Sequence, residues 1–156
     1  RRPRRADARP ALELNHAGLT RGCPRSRDGT GPRIDLLCDE CRARMKWLST
    51  EPLIGSIPGL RLLDIDWVVV GGESGARGRP LRKDWIDDIR KRCVRLGVPF
   101  FFKQWGRLGN NPDPNDPTAK KNGGTAKGGK RVDGRVCQEF PKSDIIQKKR
   151  RRLRDD

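Results

Sequence analysis

Residues Asp66 to Pro80 read DWVVVGGESGARGRP, a run of branched apolar residues that breaks into two glycines and then presents a glutamate and a serine. The first seven, DWVVVGG, are almost continuously apolar, which is how a strand buried on both faces of a parallel sheet reads. The stretch RKDWIDDIRKRCVRLGVP that follows reads as a helix with an apolar stripe of Trp85, Ile89, Cys93 and Leu96. Asp84 is placed to cap its first turn and Asp87 adds negative charge there. Arg90 to Arg92 and Arg95 lie toward its C-terminus, and Gly97 before Pro99 stops it. PFFFKQW is then a second buried strand. Strand, crossover helix and strand make a βαβ unit, which places the chain in the α/β class.

Working outward, MKWLS reads as a short strand ending just before Glu51. RIDLLCDECRARM reads as a helix with Ile34, Leu37, Cys38 and Cys41 on one face. Downstream, residues 106–130 form a loop by composition, too rich in Gly, Pro and Asn to pack. KRVDGRVCQEF reads as a hairpin, because Asp133-Gly134 is a favoured pair for a two-residue type I′ turn. The organisation expected is a disordered or non-domain basic segment over 1–32, a core over 33–105, a loop over 106–130, a hairpin over 131–141 and a basic tail over 142–156.

Charge follows the same division. The chain of 156 residues carries a net +16, most of it in the flanks. RRPRR opens the sequence and KKRRRLR stands near its end. Such an excess draws polyanions, so weak nonspecific nucleic-acid binding is one expectation and a basic nucleic-acid-binding module is an alternative function. The tails carry no interleaved aromatics for base stacking, and solubility is the simpler role for them. No apolar run approaches the ~18 residues that span a bilayer, and no secretory signal follows the basic start. A cytoplasmic location without membrane partners is expected. The chain also starts on Arg, which leads us to expect a beginning further upstream.

In parallel α/β sheets, ligands gather outside the carboxyl ends of the strands. Residues just past the three predicted strand ends include Glu51, then Glu73 and Ser74, then Lys103 and Gln104. Carboxylates and a lysine gathered on one rim can bind a polar ligand and support proton transfer, so these five are the candidate cavity-lining residues. Salt bridges and loop caps are the competing reading. VVVGGESGARG lacks both the G-x-G-x-x-G order and a G-K-[ST] sequence, so neither nucleotide fingerprint applies. Catalytic residues are not assigned.

Five cysteines, an odd number, point to free thiols or a metal site before a disulfide framework. Cys38 and Cys41 form C-D-E-C and are weak zinc candidates, the basis of a second alternative, a small zinc-binding protein. A site needs three or four ligands, and no second knuckle accompanies them. Inert packing of Cys38, Cys41 and Cys93 is the expectation. Cys23, Cys137 and His16, the single histidine, have no motif around them.

Taken in order, RIDLL, WLSTEPLIG, IDWVVVGGESGARGRP, GVPFFFKQWG and DGRVCQEFP resemble the C-terminal half of a phage and prophage protein family of unknown function. That family is related to the radical S-adenosylmethionine enzymes and is similar to the three-Cys-motif proteins. The resemblance covers about residues 32–141. It implies a partial parallel (β/α) barrel, last strands only, with WLSTEP, WVVVGGES and FFFKQW ending at the active-site cavity and Glu51, Glu73, Lys103 and Gln104 lining it. It also implies an iron-sulfur cluster and S-adenosylmethionine for a full-length relative. The cysteine triplet that would hold the cluster is absent here, so no cofactor and no radical chemistry are expected of this chain. An upstream half or partner chain completing the barrel is the partner implied, and a truncated gene or an out-of-frame reading would account for the first thirty or so residues.

Overall fold

The computed structural model of the chain describes residues 12–15, 31–41, 43, 45–75, 77–119 and 128–142. The elements run β1 (Leu12–Asn15), α1 (Gly31–Asp39), β2 (Lys46–Thr50), β3 (Trp67–Gly71), α2 (Lys83–Leu96), β4 (Phe100–Gln104), a short 3₁₀ turn (Leu108–Asn110), β5 (Arg131–Val132) and β6 (Arg135–Val136). Strands β1 to β4 form one parallel sheet in sequential order, and β5 with β6 form an antiparallel hairpin. The α/β class is as the sequence indicates. No barrel closes among the described residues.

Strand β1 is the first departure from the sequence reading. It lies inside segment 1–32, which composition assigns outside the domain, yet Leu12 to Asn15 pair in register with Lys46 to Ser49. Four residues, LELN, are too short for a period to declare itself, and pairing to β2 supplies what local pattern does not. Gly31 and Pro32, also inside that segment, open α1. The expectations for 1–11, 16–30, 120–127 and the tail beyond 142 lie outside the described residues, as do Cys23 and His16.

The core lies on one face of the sheet. Leu48, Val68, Val70, Phe100 and Phe102 pack there with Ile34, Leu37 and Cys38 of α1, with Leu53, Ile57 and Leu60 of the β2–β3 connection, and with Ile86, Ile89 and Cys93 of α2. All three connections therefore contribute to the same face. Alternation along the strands sends Trp47, Trp67, Val69 and Phe101 to the opposite face. Val69 is buried on that side but Trp67 and Phe101 are only half-buried, so the expectation that β3 and β4 are buried on both faces holds there in part.

Helix α1 ends at Asp39, several residues before the periodic pattern does, and Cys41 lies beyond it. Lys46 Nζ donates to the Cys38 carbonyl at 2.6 Å, meeting one of the last-turn carbonyls that a longer helix would satisfy internally. Arg61 then clamps Asp35 at 3.0 Å and Asp39 at 2.8 Å, tying one side of α1 to the β2–β3 connection. In α2 the buried positions are Ile86, Ile89 and Cys93, while Leu96 is largely exposed. Asp84 does not cap the helix. Arg82 occupies that position without a capping hydrogen bond from its side chain, and the Asp84 carboxylate accepts from the Arg82 guanidinium. Gly97 ends the helix in the left-handed conformation, as expected.

Beyond β4 the chain is better packed than its composition indicates. Asp116 is buried, and its carboxylate accepts from Thr118, Asn111 and the Arg131 amide. Burial works to raise its pKa, but these hydrogen bonds prevail and hold it below the usual carboxylate value. The hairpin turns at Asp133 and Gly134, both at positive φ (52° and 71°), as a type I′ turn requires. Asp133 also receives Lys83 at 2.9 Å and Arg90 at 3.4 Å, fixing the turn to α2.

After the hairpin the chain runs antiparallel along the outer edge of β4. Phe102 N–H donates to the Cys137 carbonyl (2.7 Å), Glu139 N–H to the Phe100 carbonyl (3.0 Å), and Phe100 N–H to a Glu139 carboxylate oxygen (3.1 Å). The Gln138 amide takes the Phe102 carbonyl at 3.4 Å. These bonds cover the edge of β4, and covered edges do not recruit further strands. Among the described residues, no strand pairs with the other edge of β1.

Candidate functional site

The rim begins with Glu51, the first residue after β2. Gly71 at the end of β3 is what lets its side chain cross the sheet: a Cβ there would stand 3.0 Å from Glu51 Cδ and 3.1 Å from Oε1. The carboxylate thus reaches the end of β4, where Lys103 Nζ donates to Oε2 at 3.0 Å and Gln104 Nε2 to Oε1 at 3.2 Å.

Two consecutive strand residues ordinarily point to opposite faces. Here the pairing of β3 with β4 slips between Val70 and Gly71, so that Val70 faces Phe102 while Gly71 faces Gln104. The irregularity re-aims one side chain, and both Lys103 and Gln104 meet the same carboxylate. Gln104 Nε2 also donates to Ser74 Oγ at 3.1 Å. Lys103, Glu51, Gln104 and Ser74 therefore form one hydrogen-bonded chain over the carboxyl ends of three adjacent strands. Gln104 is buried, whereas the Lys103 side chain is half exposed.

Of the five residues singled out in the sequence, Glu73 is the one not joined to that chain. Its carboxylate is held by Arg79, which donates from the backbone N–H (2.9 Å), Nε (2.7 Å) and a terminal guanidinium nitrogen (3.0 Å). The Arg79 side chain and amide pull the Glu73 pKa down to about 2. Glu73 is thus a loop staple, as the competing salt-bridge reading has it, and it shapes the turn that carries Ser74. Arg79 carries no signal in the sequence apart from a charge six residues after Glu73, a spacing that only the folded loop makes meaningful. The Arg107 guanidinium, which donates to the Gly78 carbonyl at 2.8 Å, closes the same loop from the far side of β4.

The lowered pKa of Glu73 sets a pH dependence. The carboxylate is stabilised in the folded state, so its contribution is complete above the ordinary value near 4.5 and is lost as pH falls through that value toward 2. The melting temperature of the native chain is expected to fall more steeply between pH 5 and pH 2 than that of Glu73→Gln. Parallel pH profiles for the two proteins would remove the staple from this account.

The described cysteines do not gather into a metal-binding group. Cys38 is buried with Sγ donating to the Leu63 carbonyl at 3.1 Å, and burial raises its pKa. Cys41 accepts from the Ala43 amide at 3.4 Å. Cys93 lies in the core, where burial pushes its thiol up to about 12. Thiols held protonated in this way are poor ligands and poor nucleophiles. Among the described residues, no group of three or more His, Cys, Asp or Glu side chains is placed to hold a metal ion.

Residues 25–141 match the family described as protein of unknown function, DUF5131. The chain belongs to the DUF5131 family. The match begins within the segment that precedes α1 and ends just past the strap on β4, so it takes in the whole of the rim. No curated protein and no solved structure matches the chain. Among the described residues, no helix is long and apolar enough to cross a membrane.

Proposed function

We propose that this chain is the last part of an open parallel α/β barrel and that its carboxyl rim binds a polar small molecule. The observation that carries the reading is the Lys103–Glu51–Gln104–Ser74 chain across three successive strand ends, at the location where parallel sheets bind ligands. Sequential strand order with all connections on one face supports the barrel part, because a doubly wound sheet reverses its order and uses both faces. With the β4 edge covered, any further strands would join at β1, whether they come from upstream residues or from another chain.

The likeness of the motifs to radical S-adenosylmethionine proteins, and the phage setting it implies, belong to the same proposal. The residues present do not fit an iron-sulfur cluster, since the described cysteines are dispersed and Cys38 and Cys93 are buried and protonated. No radical step is derived for them. What the rim supplies is an anchored carboxylate, an ammonium, an amide and a hydroxyl, a set that complements a ligand bearing both charged and hydroxyl groups.

The test is a thermal-shift titration with free amino acids, nucleosides and S-adenosylmethionine as probes. A probe at about a hundred times its Kd would add about 2.7 kcal/mol of stability. For a chain of this size that is a rise of about 5–10 °C. Glu51→Gln and Lys103→Ala are expected to lose most of that rise while keeping their own unliganded melting temperature within a few degrees. Probes that shift none of the proteins, or shift all three equally, would overturn the assignment of the rim.

A further inference from the structure

Hydrogen-bond direction at the rim determines what kind of group can complete it. The Glu51 carboxylate, ion-paired with Lys103, accepts and does not donate, so the end of the Gln104 side chain that meets its Oε1 at 3.2 Å is the amide nitrogen. That nitrogen carries two protons, and the second goes to Ser74 Oγ at 3.1 Å. Ser74 therefore enters the chain as an acceptor and keeps its own hydroxyl proton. At the other end, Lys103 gives one of its three N–H groups to Glu51 Oε2 at 3.0 Å and keeps two.

Exposure sorts the same groups. Ser74 is exposed and the Lys103 side chain is 51% exposed, whereas the Glu51 side chain is 21% exposed and Gln104 is buried. The groups with protons left to give thus face outward, and the acceptors are largely withdrawn. Glu73, the other carboxylate of the rim, is already engaged by three donors of Arg79. Over Glu51 and the loops 73–79 and 103–107, the four cations Arg77, Arg79, Lys103 and Arg107 stand against two carboxylates, a local excess that favours negative charge.

We propose, on the reading of the rim as a small-molecule site, that it takes the anionic oxygen group of its ligand, a carboxylate or a phosphate, with the Ser74 hydroxyl and the Lys103 ammonium as the donors. A ligand ammonium would add a like charge beside Lys103. A neutral hydroxyl would gain less, because hydrogen bonds to an ionised acceptor are about twice as strong as those between neutral groups.

Isothermal titration calorimetry of the full chain tests this with probes in matched pairs, amino acids against their α-carboxamides and nucleoside 5′-monophosphates against nucleosides. Each pair shares a scaffold and differs in the anionic group. The anionic member of at least one pair is expected to bind about 10- to 100-fold more tightly than its counterpart. The pair that shows the difference identifies carboxylate or phosphate as the group, and either supports the assignment. Ser74→Ala is expected to weaken the anionic member about 10-fold or more and to change its counterpart little. Ser74→Thr keeps the hydroxyl and should retain most of the affinity. Ser74 is exposed, so both variants should melt within a few degrees of the native chain. Equal binding within every pair, or tighter binding of the members without the anion, would overturn the anionic class and leave the rim as a site for another polar group. An anionic preference that Ser74→Ala does not diminish would overturn the assignment of the donors. Absence of binding by every probe would overturn the reading of the rim itself, and the anionic class with it.

Discussion

Replacing Trp105 by alanine is expected to cost about 3–5 kcal/mol, as for other fully buried tryptophans. Trp105 follows β4 directly, is fully buried and meets Phe102 edge-to-face at 5.1 Å. Its role goes beyond volume. The indole N–H donates to the Arg131 carbonyl at 2.9 Å, the backbone N–H to the Gly129 carbonyl at 3.0 Å, and the Trp105 carbonyl accepts from Asn110 at 2.9 Å. One residue therefore joins the end of β4 to the 3₁₀ turn and to the segment that leads into the hairpin. Urea denaturation of the full chain should show the unfolding free energy, read from midpoint and slope together, lowered by that amount. Trp105→Phe should restore most of the packing but leave the Arg131 carbonyl without its donor, a residual cost of about 1–3 kcal/mol. A midpoint for the alanine variant within experimental error of the native chain would mean that the C-terminal segment does not pack as described.

Gly72→Ala is expected to be of similar size, for the opposite reason. A Cβ at this position would lie 2.2 Å from the Trp105 carbonyl oxygen and 2.6 Å from its carbon, both backbone atoms that no side-chain rotation can move. Relief requires the ends of β3 and β4 to separate, which breaks the bond from Gly72 N–H to the Gln104 carbonyl (2.9 Å). Overpacking that forces the backbone to shift costs about 1–3 kcal/mol and occasionally more, and two rigid backbone contacts put this case at the upper end. Gly72 immediately precedes Glu73 and Ser74, so the variant should also draw Ser74 away from Gln104 and weaken any probe that binds at the rim. Gly55→Ala provides the control. Nothing lies within 4 Å of a Cβ there, and the change should stay within about 0.5 kcal/mol. If the two glycine variants denature together, the close approach of the strand ends is not a feature of the folded chain.

Strands β2 to β4, both helices and the hairpin are readable from the sequence because each has a local cause. WVVVG and the three phenylalanines that open FFFKQ are apolar runs, α2 carries a 3.6-residue stripe and a glycine stop, and Asp133-Gly134 prefers positive φ. The strand ends follow from those elements, and with them the positions of Glu51, Ser74, Lys103 and Gln104. What local pattern could not supply is long-range. LELN becomes a strand through its partner β2, α1 stops early where Lys46 meets its Cys38 carbonyl, and residues 137–139 find the edge of β4 from over thirty residues away.

The candidate site divides in the same way. Composition and strand order placed carboxylates, a lysine, an amide and a hydroxyl on one rim, since the carboxyl ends of parallel strands must share a side. Which of them would meet depended on two details of the assembled sheet, the missing side chain at Gly71 and the slipped register before Gln104, and on Arg79 claiming Glu73. The cluster of rings on the sheet face opposite the helices has the same origin. Trp47, Trp67, Phe101 and Phe140 are scattered over 94 positions of sequence, and no window of local pattern contains them all. Parallel pairing brings the first three side by side, and the strap delivers the fourth, because hydrogen bonding between strands sets neighbours by register and not by distance along the chain.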